Sequence, residues 1–317
     1  MAEASIQLRG VSKSFGATRA VRDLCLEVPA GSLCGFLGPN GAGKTTTLRM
    51  IMSIIYPDHG EIDVLGGNAL KSKDRIGYLP EERGVYRKMR VGDFLHFIAT
   101  LKGVARRNLA AHIQQWLERI ELPDVYRKKC EELSKGMQQK VQFLAAILHD
   151  PELLIFDEPF SGLDPVNTEL LNRLIRDLHS EGKTIIFSTH ILHQAEQICD
   201  RIFLINHGVK LLDASFDEIR DRFDPRTIVV EPVNGRIEPH GIDGLASVRR
   251  MPDSAAQELV MRPGADPQIV MQQVLQRHAV RSIELRRLSL EEVFVQLVQQ
   301  DEGADAAEQA RAGLSHV

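Results

Sequence analysis

Four short runs of almost entirely apolar residues stand out in the first 220 or so positions of the chain. They occupy residues 33–37, 153–156, 184–188 and 201–205. Runs of this length without alternation are typical of strands buried on both faces, as in a parallel sheet covered by helices. The pattern therefore predicts the strands of a buried parallel sheet.

Apolar stripes at helical spacing separate these runs. A stripe at i, i+3, i+4 and i+7 predicts the buried face of an amphipathic helix. The stripes comprise Leu48, Ile51, Met52 and Ile55; Val141, Leu144, Ala145 and Leu148; and Leu170, Leu171, Leu174, Ile175 and Leu178, which precede Gly182. Because strands and helices alternate, we predict an α/β core.

Two segments depart from this alternation. Residues 6–8 and 21–28 predict antiparallel strands around a turn at residues 15–18. Residues 89–122 carry only helical stripes, the first of which holds Phe94, Phe97, Ile98 and Leu101. We therefore expect an antiparallel β subdomain and a helical subdomain, the latter over about residues 89–150, beside the α/β core.

Beyond residue 222 the pattern changes to short segments separated by prolines. Residues 227–231, 247–250, 258–261 and 280–285 predict strands. Asp266 followed by Pro267 predicts the start of a helix, and Ser289 with Glu292 forms a capping box before a last apolar stripe. We predict a main domain over residues 1–222, a small α+β accessory domain over 223–300, and a disordered tail over 301–317.

Composition and charge exclude several functional classes. The 317 residues carry 39 Lys and Arg against 43 Asp and Glu, a formal net charge of −4. This balance has no basic footprint, so no nucleic-acid partner is expected. No apolar stretch approaches the roughly 20 residues that span a bilayer, and the first residues lack the apolar core of a secretory signal. The expectation is a soluble, cytoplasmic protein.

The cysteines and two neighbouring histidines are weak candidates for chemistry. The four cysteines make no CxxC pair, and the apolar surroundings of Cys25 and Cys34 predict buried, reduced thiols. His190 and His193 are spaced i, i+3 but have no acidic third ligand at helical spacing. A metal site at these histidines is therefore not favoured.

A glycine-rich segment after the first buried run carries the strongest chemical signal. Residues 38–45, which we name the phosphate loop, match G-x-x-x-x-G-K-[ST] between a predicted strand and a predicted helix. Such glycines let backbone N–H groups converge on phosphates, while the lysine adds a point charge and the final hydroxyl ligates Mg²⁺. The nucleotide-binding candidates are Gly38, Asn40, Gly41, Gly43, Lys44, Thr45 and Thr46, of which Thr45 is also a metal ligand.

Two carboxylates follow the apolar run at residues 153–156. At the carboxyl end of a parallel strand, Asp157 can reach the hydration sphere of Mg²⁺. Glu158, on the other side of the pleat, can orient and deprotonate an attacking water. The alternative, a solvated strand end, is less favoured because the chain also carries a phosphate loop.

Four further segments resemble the motifs of ATP-binding-cassette (ABC) ATPases over roughly residues 4–220. Residues 133–140, LSKGMQQK, are similar to the family's signature sequence, and residues 161–165, SGLDP, to its D-loop. His190 in STH resembles the switch histidine, and Glu81 ends a segment that resembles the Q-loop. The resemblance implies a P-loop NTPase fold that binds ATP and Mg²⁺.

The resemblance also implies a head-to-tail dimer, homodimeric or pseudo-dimeric, with two ATP molecules at the interface. Ser134, Gly136 and Asp164 would then contact the nucleotide of the partner, and Phe15 would stack on adenine. His190 would contact the γ-phosphate beside the catalytic Glu158, and Glu81 would join Thr45 and Asp157 at the metal. The alternatives are a plain helix cap for Ser134, a packed or surface histidine for His190 and simple packing for Phe15.

The sequence departs from the family at two of these motifs. The family carries Gln where Glu81 stands, and LSGGQ where this chain has LSKGM, with Lys135 as an added cation. Residues 77–86 resemble the sodium-extrusion and multidrug-export branch in particular, and residues 288–294 resemble that branch's accessory domain. These departures concern rate and metal preference, and leave the class unchanged.

We therefore expect the ATPase subunit of a membrane exporter, held at the cytoplasmic face of the membrane by a separate integral-membrane permease. Residues 82–122 would form the groove for the permease, and the accessory domain would stabilise the dimer or, less favoured, sense a ligand. The alternative classes are a regulatory module and a non-transport ABC ATPase acting on ribosomes or DNA.

Overall fold

The computed structural model describes residues 4–82, 84–105, 107–223, 226–251 and 254–303. It contains two compact units, one formed by residues 216–293 and the other by the residues before and after them. The expected domain limits at 222/223 and 300 stay predictions. Of the expected tail, residues 304–317 lie outside the described part, while residues 301 and 302 belong to the last helix.

The bounds of the strands and helices follow in chain order. The strands are β1 (Ala4–Phe15), β2 (Thr18–Pro29), β3 (Leu33–Leu37), β4 (His59–Val64), β5 (Ile76–Leu79), β6 (Leu153–Asp157), β7 (Thr184–Thr189), β8 (Arg201–Asn206), β9 (Val209–Ser215), β10 (Thr227–Pro232), β11 (Leu245–Arg250), β12 (Gln257–Met261) and β13 (Val280–Leu285). The helices are α1 (Lys44–Ile51), α2 (Val91–Leu101), α3 (Leu109–Arg119), α4 (Lys135–Ile147), α5 (Pro165–Ser180), α6 (Leu192–Ile198), α7 (Phe216–Arg222), α8 (Pro267–Arg277) and α9 (Leu290–Glu302).

A six-stranded sheet in the order β5-β6-β7-β3-β8-β9 forms the centre of the larger unit. Its strands are parallel except for β9, which pairs antiparallel with β8. Every residue of β3, β6 and β7 is buried, as their unbroken apolar runs predict. The α/β prediction is confirmed, and the carboxyl ends of β3, β6 and β7 meet at one edge of the sheet.

A second, antiparallel sheet has the order β2-β1-β4, and β3 of the central sheet lies between β2 and β4 in the chain. Its first two strands pair from Ala4 with Pro29 to Phe15 with Thr18, so the predicted hairpin is confirmed. The prediction of a buried thiol is wrong for Cys25, which is exposed, and holds for Cys34. The reason is strand alternation: Leu24 and Leu26 face the core, which turns Cys25 outward.

The helices agree with the predicted stripes, with one shorter than expected. Helix α1 ends at Ile51, but Met52 and Ile55 still pack against the same core as Leu48 and Ile51. Helices α2, α3 and α4 pack on one another, as expected of the helical subdomain. Every residue of α4 from Gln139 onward is buried. No helix in the described ranges is both long and apolar enough to cross a bilayer.

The smaller unit contains a four-stranded antiparallel sheet in the order β11-β12-β10-β13. Val270 and Val274 of α8 pack with apolar strand residues in its core. Asp266 caps α8 by accepting a hydrogen bond from the Gln268 N–H at 2.8 Å. The predicted α+β character is confirmed, while Pro225 and Pro252, two of the prolines that separate the segments, lie outside the described residues.

Candidate functional site

The phosphate loop leaves β3 and opens α1 through backbone conformations that glycine adopts easily. Gly38 has φ of +155° and Gly43, the N-cap of α1, has φ of +102°. A Cβ on Gly38 would collide with the carbonyl oxygen of Ile205, and one on Gly43 with that of Ala20. The loop therefore needs glycine at both positions, for conformation and for space.

Lys44 lies inside the phosphate loop with 5% of its side chain exposed. Its Nζ donates hydrogen bonds to the carbonyl oxygens of Gly38 at 2.7 Å and Pro39 at 3.2 Å, and lies 3.6 Å from Oε1 of Glu158. Burial lowers the pKa of Lys44, while the Glu158 carboxylate acts in the opposite direction. The ammonium is thus held beside both the loop and a carboxylate.

Asp157 ends β6 with one carboxylate oxygen fully engaged and the other without a partner. Its Oδ1 accepts hydrogen bonds from the Ser188 hydroxyl at 2.6 Å and the Thr45 hydroxyl at 3.1 Å. Its Oδ2 is buried and has no hydrogen-bond partner in the described part of the chain. A buried, unpaired carboxylate oxygen next to a hydroxyl matches the oxygen ligands that Mg²⁺ prefers.

Glu158 follows β6 in a left-handed backbone conformation, with φ of +49°. Its N–H donates to the carbonyl oxygen of Ser188 at 3.2 Å and to the hydroxyl of the same residue at 3.1 Å. We expected strand alternation to orient this side chain, and that explanation is wrong because β6 already ends at Asp157. The left-handed turn directs the carboxylate to His190, whose Nδ1 lies 3.0 Å from Oε1.

An open cleft of about 560 Å³ lies over the phosphate loop. Eight of the predicted residues line it: Asn40, Gly41, Gly43, Lys44, Thr45, Thr46, Glu81 and Glu158. Glu81 is exposed just beyond β5, and its carboxylate has no hydrogen bond or ion pair within the described ranges. Gly38, Asp157 and His190 do not line the cleft, but each contacts a residue that does. Gly38 contacts Lys44, Asp157 contacts Thr45, and His190 contacts Glu158.

Arg19, Arg22 and His207 also line the cleft, and the sequence analysis missed them. Both arginine side chains are exposed and make no ion pair or side-chain hydrogen bond with any described residue. Arg22 is fixed through its backbone N–H, which donates to the carbonyl oxygen of Gly208 at 2.9 Å. Two basic residues just after the turn at Phe15 were the available signal, but the sequence does not show that β2 carries them to the cleft.

Phe15 ends β1 at the neighbouring turn and does not line the cleft itself. Its ring is 51% exposed, and the ammonium of Lys13 lies 5.6 Å from the ring centroid. Thr18 pairs with Phe15 across the hairpin and does line the cleft. The ring is therefore available near the rim, as a stacking surface requires.

Ser134, Gly136 and Asp164 lie apart from the lining of this cleft. Ser134 is exposed and caps α4, where its hydroxyl accepts a hydrogen bond from the Met137 N–H at 3.3 Å. Asp164 caps α5 by accepting hydrogen bonds from the N–H of Asn167 at 2.9 Å and its side-chain amide at 2.6 Å, and these bonds lower the pKa of Asp164. The two helix starts are close, since a Cβ on Gly136 would contact Leu163 at 3.5 Å.

Comparison with known proteins places these motifs in one family. The model of the ABC transporter family matches residues 21–161, and that of the ATP-binding protein DrrA1-3-like C-terminal domain matches residues 215–298. The uncharacterized ABC transporter ATP-binding protein YhaQ of Bacillus subtilis strain 168 is 38% identical over 289 residues, 91% of this chain and 96% of that protein. The Nod factor export ATP-binding protein I of Rhizobium sp. strain N33 is 33% identical over 307 residues, 94% of this chain and 98% of that protein.

A solved structure supports the same assignment. The structure of an ATP-binding subunit of an ABC transporter aligns with a TM-score of 0.64 at 29% identity, covering 69% of this chain and 92% of that one. The site geometry agrees, because the phosphate loop, Asp157, Glu158 and His190 meet at one edge of the sheet. The chain belongs to the ATP-binding proteins of ABC transporters.

Proposed function

We propose that this chain hydrolyses ATP to power a membrane exporter whose permease is a separate polypeptide. ATP-binding proteins of this family are in general ATPases. The observation that carries the proposal is the chain of contacts from Lys44 through Glu158 to His190, with distances of 3.6 and 3.0 Å. This arrangement joins a phosphate-binding cation to a candidate base and the residue that orients it.

The cleft binds the triphosphate through the backbone N–H groups of the phosphate loop and the ammonium of Lys44. Gly38, Asn40, Gly41, Gly43, Thr45 and Thr46 complete this cradle. Arg19 and Arg22 add positive charge at its rim. Phe15 offers its exposed ring to the adenine. The site then holds its nucleotide at the base end as well as at the phosphates.

Glu158 takes the proton of the attacking water, and His190 holds the Glu158 carboxylate in place. Asp157, Thr45 and Glu81 would hold Mg²⁺, which supplies positive charge to the phosphate oxygens when it is bound. The unpartnered Oδ2 of Asp157 supports this role. Ser188 fixes both acids, since its hydroxyl donates to Asp157 and accepts from the Glu158 N–H.

Ser134, Gly136 and Asp164 serve the nucleotide of a second ATPase subunit. The exposed start of α4 presents backbone N–H groups and a positive dipole end, which favour a phosphate. The adjacent start of α5 brings Asp164 to the same surface. ATP bound between two subunits therefore closes the dimer, and its hydrolysis reopens it.

The surface around α2 is the docking site for a cytoplasmic helix of the permease. Tyr86, Phe97 and Leu101 are exposed to 52%, 41% and 62%. The rings of Tyr86 and Phe97 pack edge to face with their centroids 5.7 Å apart. Exposed apolar side chains of this kind favour a protein partner.

Two relatives carry export or transport in their names. They are the Nod factor export protein and the bacitracin transport ATP-binding protein BcrA of Bacillus licheniformis, which is 37% identical over 222 residues. The permease then holds this chain at the cytoplasmic face of the membrane.

The test is to purify the full chain from membranes and identify what accompanies it. We expect an integral-membrane protein in stoichiometric amount, and ATP turnover that rises when the complex is reconstituted in lipid. Turnover with no membrane partner, unchanged by lipid, would support a non-transport ATPase. A complex that binds ATP without turnover would support a regulatory module instead.

A further inference from the structure

Helix α4 carries two glutamines whose buried amides hold backbone segments of the candidate site. Gln139 and Gln142 are 2% and 5% exposed. The Nε2 of Gln139 donates to the carbonyl oxygen of Pro159 at 3.0 Å, next to Glu158. The Nε2 of Gln142 donates to the carbonyl oxygens of Pro80 at 3.3 Å and Glu82 at 3.1 Å, one on each side of Glu81.

Gln142 makes a third hydrogen bond to this segment. Its Oε1 accepts a hydrogen bond from the N–H of Gly84 at 3.3 Å. The amide therefore uses its donor and acceptor groups on one stretch of backbone about 60 positions earlier in the chain. A buried amide that lost these partners would be costly, so the segment is fixed to α4.

Glu81 depends on this fixation because no described side chain hydrogen-bonds to its own carboxylate; Arg49 contacts the neighbouring Glu82 at 3.3 Å, but that pair is exposed. The Glu81 carboxylate is exposed to the cleft and has no side-chain partner there. Its position is therefore set by the backbone on either side, whose carbonyl groups Gln142 binds. A metal ligand held only through its backbone is sensitive to small shifts of that backbone.

We propose that Gln142 is a positioning residue that places Glu81 at the metal side of the nucleotide. The role of Glu81 as a metal ligand is taken from the proposed function. Since Ser134 caps α4, the helix links the surface proposed to meet the second subunit to Glu158 and Glu81 of its own site. Gln139 anchors the Glu158 side of this link, and Gln142 anchors the Glu81 side.

The experiment measures ATP turnover by the full chain, in complex with its permease, as a function of Mg²⁺ concentration. Gln142→Met keeps the volume of the side chain and removes its donors and acceptor. We expect the half-saturating Mg²⁺ concentration to rise roughly three- to tenfold, because the three hydrogen bonds to the Glu81 segment are lost and part of that loss is felt at Glu81, while affinity for ATP in EDTA is unchanged. Gln142→Glu, which keeps only the acceptor toward Gly84, should shift it in the same direction.

Gln138→Met is the matched control. Its Nε2 also donates to two carbonyl oxygens, those of Cys130 at 3.1 Å and Leu133 at 3.0 Å, but neither flanks Glu81. We expect this variant to leave the half-saturating Mg²⁺ concentration unchanged. An equal rise in both variants would overturn the proposal, because it would indicate general loosening of α4.

A double-mutant cycle separates positioning from a purely structural role. In a Glu81→Ala background, Gln142→Met should have no further effect on the Mg²⁺ dependence. A rise that persists without Glu81 would overturn the inference and leave the proposed function intact. Absence of Mg²⁺-dependent turnover in the wild-type complex would overturn both.

Discussion

The two candidate phosphate-binding regions of this chain differ in how complete they are. At the phosphate loop, Lys44, Asp157 and Glu158 are buried; Lys44 forms an ion pair with Glu158, and the Ser188 hydroxyl hydrogen-bonds to both acidic residues. At the start of α4, Ser134 is exposed, and its described side-chain bond caps its own helix. The first region contains the groups proposed for binding and chemistry, and the second contains one face of the proposed site at the dimer interface.

The difference indicates which functions the chain can perform alone. We expect binding of ATP to require only the first region, because the loop, the lysine and the rim arginines belong to one cleft. A catalytic cycle in the proposed dimer requires the second region as well. Substitutions in the two regions should therefore separate nucleotide binding, turnover and dimer closure.

The largest effect is expected from Glu158→Gln, within the complete region. The amide cannot accept the proton of the attacking water, so turnover should fall by roughly 10²- to 10⁴-fold. ATP binding should remain, because the substitution removes the carboxylate beside Lys44 but leaves its ammonium and the loop in place. Turnover and equilibrium ATP binding, measured on the same preparation, test this, and activity within a few-fold of wild type would remove Glu158 from its role.

A substitution in the incomplete region should affect dimer closure instead. In Ser134→Asp the new residue still caps α4, but its charge repels the phosphates of the second subunit's ATP. We expect ATP-dependent dimerisation of the Glu158→Gln chain to weaken by about tenfold or more. The phosphates of the second subunit's ATP lose the charge-assisted hydrogen bond from the Ser134 hydroxyl and are repelled by the new carboxylate.

Ser134→Asn, a neutral cap, is the control for this substitution and should dimerise more strongly than the aspartate variant. ATP binding by the single subunit should be the same in both. Equal dimerisation of the two, measured by analytical ultracentrifugation with and without ATP, would contradict a phosphate contact at Ser134.

A smaller effect is expected at the rim of the complete region. Arg22→Gln removes from the cleft an exposed positive charge that pairs with no described residue, and ATP affinity should fall about two- to fivefold, as for other exposed charge interactions. The loss should shrink as salt is added. Arg9→Gln, an exposed arginine on β1 that does not line this cleft, is the control. Equal affinities of the two variants in titration calorimetry would exclude Arg22 from the site.

The smallest functional effect is expected from a group away from both regions. His149 has its Nε2 3.1 Å from the carbonyl oxygen of Ile76, while its Nδ1 is buried without a partner in the described residues, and burial lowers the pKa of His149 to about 4. The unfolded chain protonates this ring near pH 6.5. The contribution of the neutral His149 ring to the free energy of unfolding is present above about pH 6.5 and should be lost as pH falls from about 6.5 to 4.

His149→Gln keeps a donor for Ile76 and does not titrate, so its stability should fall less steeply over this pH range. Urea unfolding at several pH values measures the difference. Parallel curves for the two proteins would show that His149 is not buried as a neutral ring. ATP binding and dimerisation near neutral pH should not change.

The sequence predicts local motifs well because their chemistry and their structure depend on neighbouring residues. The phosphate loop lies between strand and helix as its spacing predicts, and Asp157 ends a buried strand. The prediction for Cys25 is wrong because a local apolar average conceals the alternation of an amphipathic strand. The length of α1 was overestimated for a related reason, since residues beyond a helix can continue its buried face.

Contacts between distant segments could not be predicted in this way. The bonds of Gln142 join α4 to a segment about 60 residues earlier. Arg19 and Arg22 reach the cleft because the β1–β2 hairpin lies beside the phosphate loop, where a Cβ on Gly43 would meet Ala20. No single sequence pattern specifies such tertiary neighbours.

The left-handed backbone at Glu158 has a consequence for the evolution of the site. Residues other than glycine, asparagine and aspartate cost about 1–2 kcal/mol of folding free energy in this conformation. Glutamate is therefore an unfavourable residue for stability at this position. Selection for stability alone would favour glycine or asparagine there, at the cost of the carboxylate. With Glu158 as the proposed base, the chain gives up some thermal stability to keep that carboxylate in place, a trade-off between stability and activity at one backbone angle.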